Sequence, residues 1–274
     1  MSWWELLVEA FSYGFMQRAL IVGIAVAVSS SMIGAFLVLK KYSMVGHGLS
    51  HVAFAAIAIG LVLNQSPLLV TAPVVVIVSV FILHINERAK IHGDAAIGLT
   101  AAFSMALGTT LASIGGGFNV DLFSYLFGSI LTIQHIDVVL SVVLSFIVVI
   151  VVILFYNDFV SMTYDEAFSR VTGIKTRRLN TVLAVLTGLT VVVGIRAIGT
   201  VLISALIIFP TITALQFSRG FKATIMLAVL LSVATVITGL IGSFFLDLPS
   251  GSAIVLLNGI VFMVIFSYNL VVRR

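Results

Sequence analysis

The chain has 274 residues, of which 61% are hydrophobic and only 9% are charged, and its mean hydropathy is +1.27. A soluble domain carries roughly 25% charged residues, so this composition excludes a soluble globular protein and indicates an integral membrane protein. The formal net charge is +4, and the basic residues are scattered among the predicted loops. This distribution argues against a basic face that binds nucleic acid. The chain contains no cysteine, and disulfides and thiolate chemistry are therefore excluded.

Apolar runs of about 20 residues recur along the chain, the length that a helix needs to cross roughly 30 Å of hydrocarbon. They are uniformly apolar and do not alternate as the strands of a membrane barrel do. The sequence therefore predicts an all-α fold, a polytopic transmembrane helical bundle that forms a single domain over residues 1–274. Nine spans are predicted, at about 19–39, 45–63, 67–85, 95–114, 138–156, 179–195, 197–217, 221–246 and 252–270.

Residues 1–17 precede the first span, and we predict an interfacial helix that lies along the bilayer surface. Trp3, Trp4 and Phe11 stand there among polar residues, a pattern typical of such helices. The first ten residues carry Glu5 and Glu9 and no basic cluster, so they do not resemble a cleavable signal peptide.

The distribution of lysine and arginine predicts the orientation, because cytoplasmic loops are enriched in both. With the N-terminus outside and the C-terminus inside, only Arg18 and Arg196 of the 14 basic residues fall on the outer side. Counting the short apolar segment near residue 125 as a crossing would break this pattern. We therefore predict that residues 120–134 form an outer re-entrant segment.

Two histidines near the start of the second span carry the sharpest chemistry. His47 and His51 are spaced i, i+4, which places both imidazoles on one helix face, where they could touch one small ligand or ion. The alternative is that His47, about two turns from Lys41, is an interfacial histidine and that His51 packs against a neighbouring helix.

The longest predicted interior loop, residues 157–178, is amphipathic and has no apolar run of its own to bury. Its helix signals are a cap at Ser161 or Thr163, acidic residues at Asp165 and Glu166, and a terminating Gly173. We predict a short helix that docks on a cytoplasmic partner; a solvated loop is the alternative.

Other polar residues suggest further roles. On the outer side, His135 and Asp121 are candidate entry ligands, although Asp121 and Asp137 would also suit helix N-termini. Arg196 is predicted at an outer corner, facing a docking partner or a lipid phosphate. Pro210 lies inside the seventh span, where it removes a backbone hydrogen bond and predicts a kink along the path.

Several segments together resemble the permease subunits of bacterial ABC importers for zinc and manganese, the ABC-3 metal transporter family. The resemblance extends over nearly the whole chain and rests on residues 43–53, 121–128, 165–173, 198–214 and 249–255. It implies a multi-pass protein of the bacterial plasma membrane in which two copies of the chain line a central path.

The resemblance also implies partners. A separate cytoplasmic ATP-binding subunit would dock on the interior loop through Asp165, Glu166, Ala167 and Gly173, and an extracytoplasmic metal-binding protein would deliver the ion. The sequence has no Gly-x-x-x-x-Gly-Lys-Ser/Thr loop, which agrees with a transport subunit that is not itself an enzyme. The metal would be a transported ion, with no permanently bound cofactor.

The choice of ion depends on one departure from the family pattern. The family usually has an acidic residue where this chain has His47. Imidazole suits zinc, whereas carboxylate and water suit manganese, so the pair favours Zn²⁺, and the outer residues Tyr125 to Gly128 also resemble zinc members. Across a two-fold axis the pair becomes four imidazoles, enough for a tetrahedral site. Manganese or iron remains the alternative cargo.

Two functions from other classes remain open on the sequence alone. An intramembrane metalloenzyme would need a catalytic carboxylate beside the histidines, as in His-Glu-x-x-His, and none stands between them. A secondary metal transporter would usually place acidic residues near mid-membrane, and no predicted span has one at its centre.

Overall fold

The computed structural model describes residues 11–89, 93–114, 133–218 and 220–272. These ranges contain helices and no strand, and the predicted all-α fold is confirmed. In chain order the helices are α1 (Gly14–Leu39), α2 (Val45–Val62), α3 (Pro67–Ala89), α4 (Gly93–Ile114), α5 (His135–Leu154), α6 (Tyr156–Tyr164), α7 (Glu166–Val171), α8 (Thr176–Ile198), α9 (Thr200–Leu215), α10 (Phe221–Leu246) and α11 (Ser250–Val272).

Eight of these helices are long and apolar enough to cross a membrane. The seventh predicted span is the shorter helix α9, which has 16 residues and a length of about 24 Å. Gly199, with a φ of +91°, separates α8 from α9. Glycine enters this backbone region without steric cost, so the break between the two helices falls at Gly199. Helix α8 therefore ends at Ile198, three residues beyond the predicted boundary.

The helices form two compact units. In the unit of residues 36–121 and 150–192, α2 packs against both α3 and α4. A Cβ atom at Gly48 would lie 2.6 Å from Ile97, and one at Gly108 would lie 2.6 Å from Phe54. Glycine thus permits the close approach of α2 and α4, as is common between membrane helices.

The other unit comprises residues 1–35, 122–149 and 193–274, and α9, α10 and α11 pack on one another within it. The first helix joins this packing at Gly34, where a Cβ atom would collide with the backbone carbonyl of Ile207 in α9.

The short helix predicted within residues 157–178 is present as α7, and a second helix, α6, precedes it. Helices α6 and α7 fill most of residues 157–178, and neither predicted cap caps α7. The Thr163 hydroxyl donates to the carbonyl of Phe159 within α6, and Ser161 pairs with Ser169. Asp165 takes the N-cap position, because its extended backbone and short carboxylate suit that role better than a residue inside the preceding helix.

Three predictions fall wholly or mostly outside the described residues. They are the interfacial helix of residues 1–17, of which only 11–17 are described, the outer segment of residues 120–134, and the entry role of Asp121. Helix α1 begins at Gly14, five residues before the predicted span.

Candidate functional site

The histidine pair lies where the spacing predicts. Both residues belong to α2, and their Nε2 atoms are 3.3 Å apart. The rings meet edge to face, with centroids 4.7 Å apart. The two imidazoles therefore point their outer nitrogens at one another within a single turn of the helix.

This nitrogen separation has a simple chemical meaning. Two imidazole nitrogens bound to one tetrahedral zinc at 2.0–2.1 Å are roughly 3.3–3.4 Å apart. When no metal is present, the same distance lets one ring donate a weak hydrogen bond to the other. The separation of the two nitrogens is thus compatible with a hydrogen bond between the rings or, after the rings reorient, with a shared metal ion.

The pair occupies the open side of α2. Its neighbours Val45, Leu49 and Val52 are buried within the chain, whereas His47 is exposed and His51 is partly exposed. A polar group on the lipid-facing side of a spanning helix is costly, which favours a face turned to water or to protein. The described residues contain no group of three or more metal-ligating side chains, so this part of one chain offers the ion only the two imidazoles.

The second predicted site, around α7, is a short and well-capped helix. The Asp165 carboxylate accepts a hydrogen bond of 2.9 Å from the amide of Phe168. At the other end, Gly173 has a φ of +89°, and the amides of Gly173 and Ile174 donate to the carbonyls of Arg170 and Ser169. These two hydrogen bonds form the Schellman motif, in which a glycine commonly stands just after the helix.

Glu166 is the centre of a polar network at the start of α7. Its Oε2 atom lies 3.2 Å from the Lys40 Nζ atom, and its Oε1 atom accepts hydrogen bonds from Arg170 at 2.7 Å and Asn180 at 3.0 Å. Burial raises the pKa of Glu166, but the nearby Lys40 ammonium and the hydrogen bonds from Arg170 and Lys40 outweigh it, so the pKa lies below its ordinary value. Glu166 is therefore ionised at neutral pH.

One side of α7 is apolar and exposed. Phe168 is 62% exposed and Val171 is 87% exposed, and Ala167 beside them is exposed as well. A cavity of about 520 Å³ lies against the polar side of the same helix and is lined in part by Lys40, Tyr42 and Glu166. Ala167, Phe168 and Val171 form an apolar crest on a helix that is capped at both ends. Such a surface is suited to insertion into a groove of a partner protein.

The outer candidates are arranged differently from the prediction. His135 is the exposed first residue of α5. Asp137 is buried, accepts a hydrogen bond from the Gln134 amide at 2.9 Å, and forms an ion pair with Arg196 Nε at 2.5 Å. Arg196 lies in the last turn of α8 and not in a corner loop, and 36% of its side chain stays exposed beside the ion pair. Its contact with a docking partner or a lipid phosphate therefore stays a prediction.

Pro210 is buried inside the continuous helix α9. The Thr213 hydroxyl donates to the Phe209 carbonyl at 2.7 Å and is therefore occupied within the helix. The Thr211 hydroxyl is also buried but has no hydrogen-bond partner in the described part of the chain. Thr211, next to Pro210, therefore has a hydroxyl that could still accept or donate a hydrogen bond.

Sequence reasoning missed Lys40 and Asn180 as members of the α7 network. Lys40 was interpreted only as a topological charge, although 8% exposure of its side chain shows a buried ammonium. The partners are separated from it by 126 and 140 positions, a distance over which one sequence carries no pairing signal. An asparagine in the first turns of a predicted span was the one available hint.

The family model for the ABC 3 transport family matches residues 12–269 of this chain. The chain belongs to that family. The match spans both compact units and includes the histidine pair and the α7 network.

Two relatives of this ABC 3 chain have names that differ in the metal. It is 30% identical to the manganese transport system membrane protein MntC of Listeria innocua, over 93% of this chain and 91% of that protein. It is 28% identical to the high-affinity zinc uptake system membrane protein ZnuB of Haemophilus influenzae, over 89% of this chain and 94% of that protein.

A solved structure extends the likeness to three dimensions. The chain is similar to one in the structure of PsaBC from Streptococcus pneumoniae in complex with Fab, with a TM-score of 0.83 and 26% identity. The match covers 96% of this chain and 94% of that one. The helix order described above is therefore a fold that has been observed experimentally.

Proposed function

We propose that this ABC 3 protein is the membrane permease of a bacterial ABC importer for divalent metal ions, and that zinc is its main cargo. The single observation that carries the choice of zinc is the imidazole pair, whose Nε2 atoms stand 3.3 Å apart on the open face of α2. Nitrogen ligands at this separation suit zinc in tetrahedral geometry.

Two copies of the chain complete the site in this proposal. One pair supplies two nitrogens, and a two-fold axis beside α2 brings a second, identical pair, since a two-fold interface repeats the same surface. Four imidazoles would bind zinc tightly. A transported ion must also leave, so the full set of ligands is expected to form only transiently.

The remaining parts of the machine follow from α7 and from the charge pattern. The apolar crest of α7 is the docking surface for a cytoplasmic ATP-binding subunit that hydrolyses ATP, which this chain does not do. The N-terminus lies outside and the C-terminus in the cytoplasm, which places α7 on the inner side together with Lys40 and Arg178. An extracytoplasmic metal-binding protein delivers the ion to the opposite side.

Manganese is the second candidate cargo, and the relatives favour it. The Listeria innocua and Streptococcus gordonii relatives are both named for manganese, whereas the Haemophilus influenzae relative is named for zinc. The identities are too similar to separate the ions, so the ligand chemistry of the pair carries the distinction.

Uptake of radioactive zinc and manganese into proteoliposomes tests the proposal. The vesicles contain the permease with its ATP-binding subunit and its metal-binding protein. Because even indirect supports of a metal ligand contribute about 10-fold to 100-fold in affinity, His47→Gln and His51→Gln should each lower zinc uptake by about tenfold or more. His84→Gln is the matched control, since His84 bonds to Val80 and lies near Thr181 within its own unit.

The outcomes separate the parts of the proposal. ATP-dependent zinc uptake that is lost in both variants and kept in the control supports zinc passage over the α2 face. Full zinc uptake in both variants would show that the two histidines only pack and do not bind the transported ion. Manganese uptake that exceeds zinc uptake in the wild type would make manganese the cargo.

A further inference from the structure

The network around Glu166 joins α7 to two spanning helices. The Lys40 Nζ atom, at the end of α1, lies 2.6 Å from Asn180 Oδ1 in α8 and 3.2 Å from Glu166 Oε2 in α7. Asn180 in turn donates to Glu166 Oε1. Three side chains, from α7, from α8 and from the residue that follows α1, therefore close a ring of contacts, and the lysine within it is buried.

The chain leads directly from Lys40 to the histidine pair. Helix α1 ends in a Schellman motif, in which the Tyr42 amide donates to the Leu37 carbonyl at 2.8 Å and Lys41 takes a φ of +62°. Tyr42 is buried, and its ring leaves no room for a Cβ atom at Gly93 at the start of α4. Helix α2 begins at Val45, so the link from the network to His47 is a short turn anchored at Tyr42.

The physical consequence is that α7 and this turn cannot move independently while the network is intact. A buried ammonium that loses its carboxylate is left uncompensated, which is strongly unfavourable. When a partner protein displaces α7, Lys40 is therefore expected to move with Glu166, because breaking their contact would cost more. Packed interfaces of this kind move between discrete arrangements and do not deform continuously.

We propose that Lys40 is a positioning residue that couples α7 to the turn before α2, and through it sets the histidine pair according to the state of the ATP-binding subunit. This inference rests on the proposed function and adds a residue to it. With only 8% of its side chain exposed, Lys40 acts through Glu166 and the turn, and it determines how much transport each ATP molecule drives.

The test measures ions transported per ATP hydrolysed, in proteoliposomes that contain the complete importer. Lys40→Gln removes the charge and should lower this ratio by about fivefold or more, the lower end of typical couplings between sites, while hydrolysis itself continues. Lys40→Arg keeps the charge and the donors and should restore the ratio to the wild-type value. Lys41→Gln is the matched control, because Lys41 is the exposed neighbouring lysine.

A merely structural role for Lys40 would lower assembly, hydrolysis and uptake together and would leave their ratio unchanged. An unchanged ratio in Lys40→Gln therefore overturns the proposal. Glu166→Gln breaks the same contact from the other side and should show the same fall in the ratio. Failure of both variants to assemble would assign the network to folding and would overturn the coupling role as well.

The wild-type measurement keeps this inference separate from the proposed function. A wild type that accumulates neither zinc nor manganese with ATP contradicts the function itself. A wild type that transports, together with a Lys40→Gln variant of equal ratio, contradicts only the coupling role.

Discussion

The pair of Asp137 and Arg196 gives the sharpest stability prediction. The Asp137 side chain is 5% exposed and the Arg196 side chain is 36% exposed, so Arg196→Met leaves a buried carboxylate without its cation. Breaking a fully buried pair costs about 3–5 kcal/mol. Arg196 is partly solvated and Asp137 keeps the Gln134 amide, so we expect the free energy of unfolding to fall by about 2 kcal/mol.

A loss of this size is measurable as a shift in unfolding temperature. At about 2–4 °C per kcal/mol for a chain of this size, Arg196→Met should unfold about 4–8 °C below the wild type in the same detergent. The assay is loss of the monodisperse peak in size-exclusion chromatography after heating. Arg177→Met, an exposed arginine at the other end of α8, is the control and should leave the temperature unchanged.

A double-mutant cycle separates the ion pair from other contacts of Arg196. Asp137→Asn removes the buried charge, so adding Arg196→Met to it should cost less than Arg196→Met alone. Equal costs in the two backgrounds, or an Arg196→Met protein as stable as the wild type, would refute the assignment of Arg196 to Asp137.

Further predictions concern glycine and protonation. Gly34→Ala should destabilise the chain by about 1–3 kcal/mol, because its Cβ atom would meet a backbone carbonyl of α9; Gly242→Ala, with open space around it, should be neutral or stabilising in the same heating assay. Gly173→Ala should cost about 1 kcal/mol because of its φ of +89°, whereas Gly220→Ala, at an extended φ of −171°, should not. Folding lowers the pKa of Glu166, so the ionised carboxylate stabilises the fold above its ordinary pKa of 4.5, and this stabilisation is lost as the pH falls through the lower pKa of the folded state. The difference in free energy of unfolding between the wild type and Glu166→Gln should therefore disappear below that lower pKa. A difference that persists there would contradict the ion pair.

The sequence predicted the spans well because their signal is local. Length and hydropathy locate a membrane helix without reference to its neighbours, and α2, α4 and α10 begin or end within two residues of the predictions. The imidazole pair was predictable for the same reason, since a spacing of four residues determines which side chains meet on one helix.

The misses share a different cause. The cap of α7, the partner of Arg196 and the burial of Lys40 all depend on contacts between positions that are distant in the chain or on competition among several suitable residues. Arg196 and Asp137 are 59 positions apart, and each has an alternative role that is equally consistent with its local sequence. Asp165 became the cap because α6 occupies the residues before it, and an interior segment of two helices is hard to distinguish from one helix in a loop.

The most direct test of a zinc importer is ATP-driven accumulation of radioactive zinc by the wild-type permease in the complete importer, with unlabelled manganese in excess. We expect zinc to accumulate only when ATP is supplied and manganese to displace little of it. Accumulation that persists without ATP would indicate a secondary transporter, and zinc uptake abolished by manganese would contradict the zinc site assigned to His47 and His51.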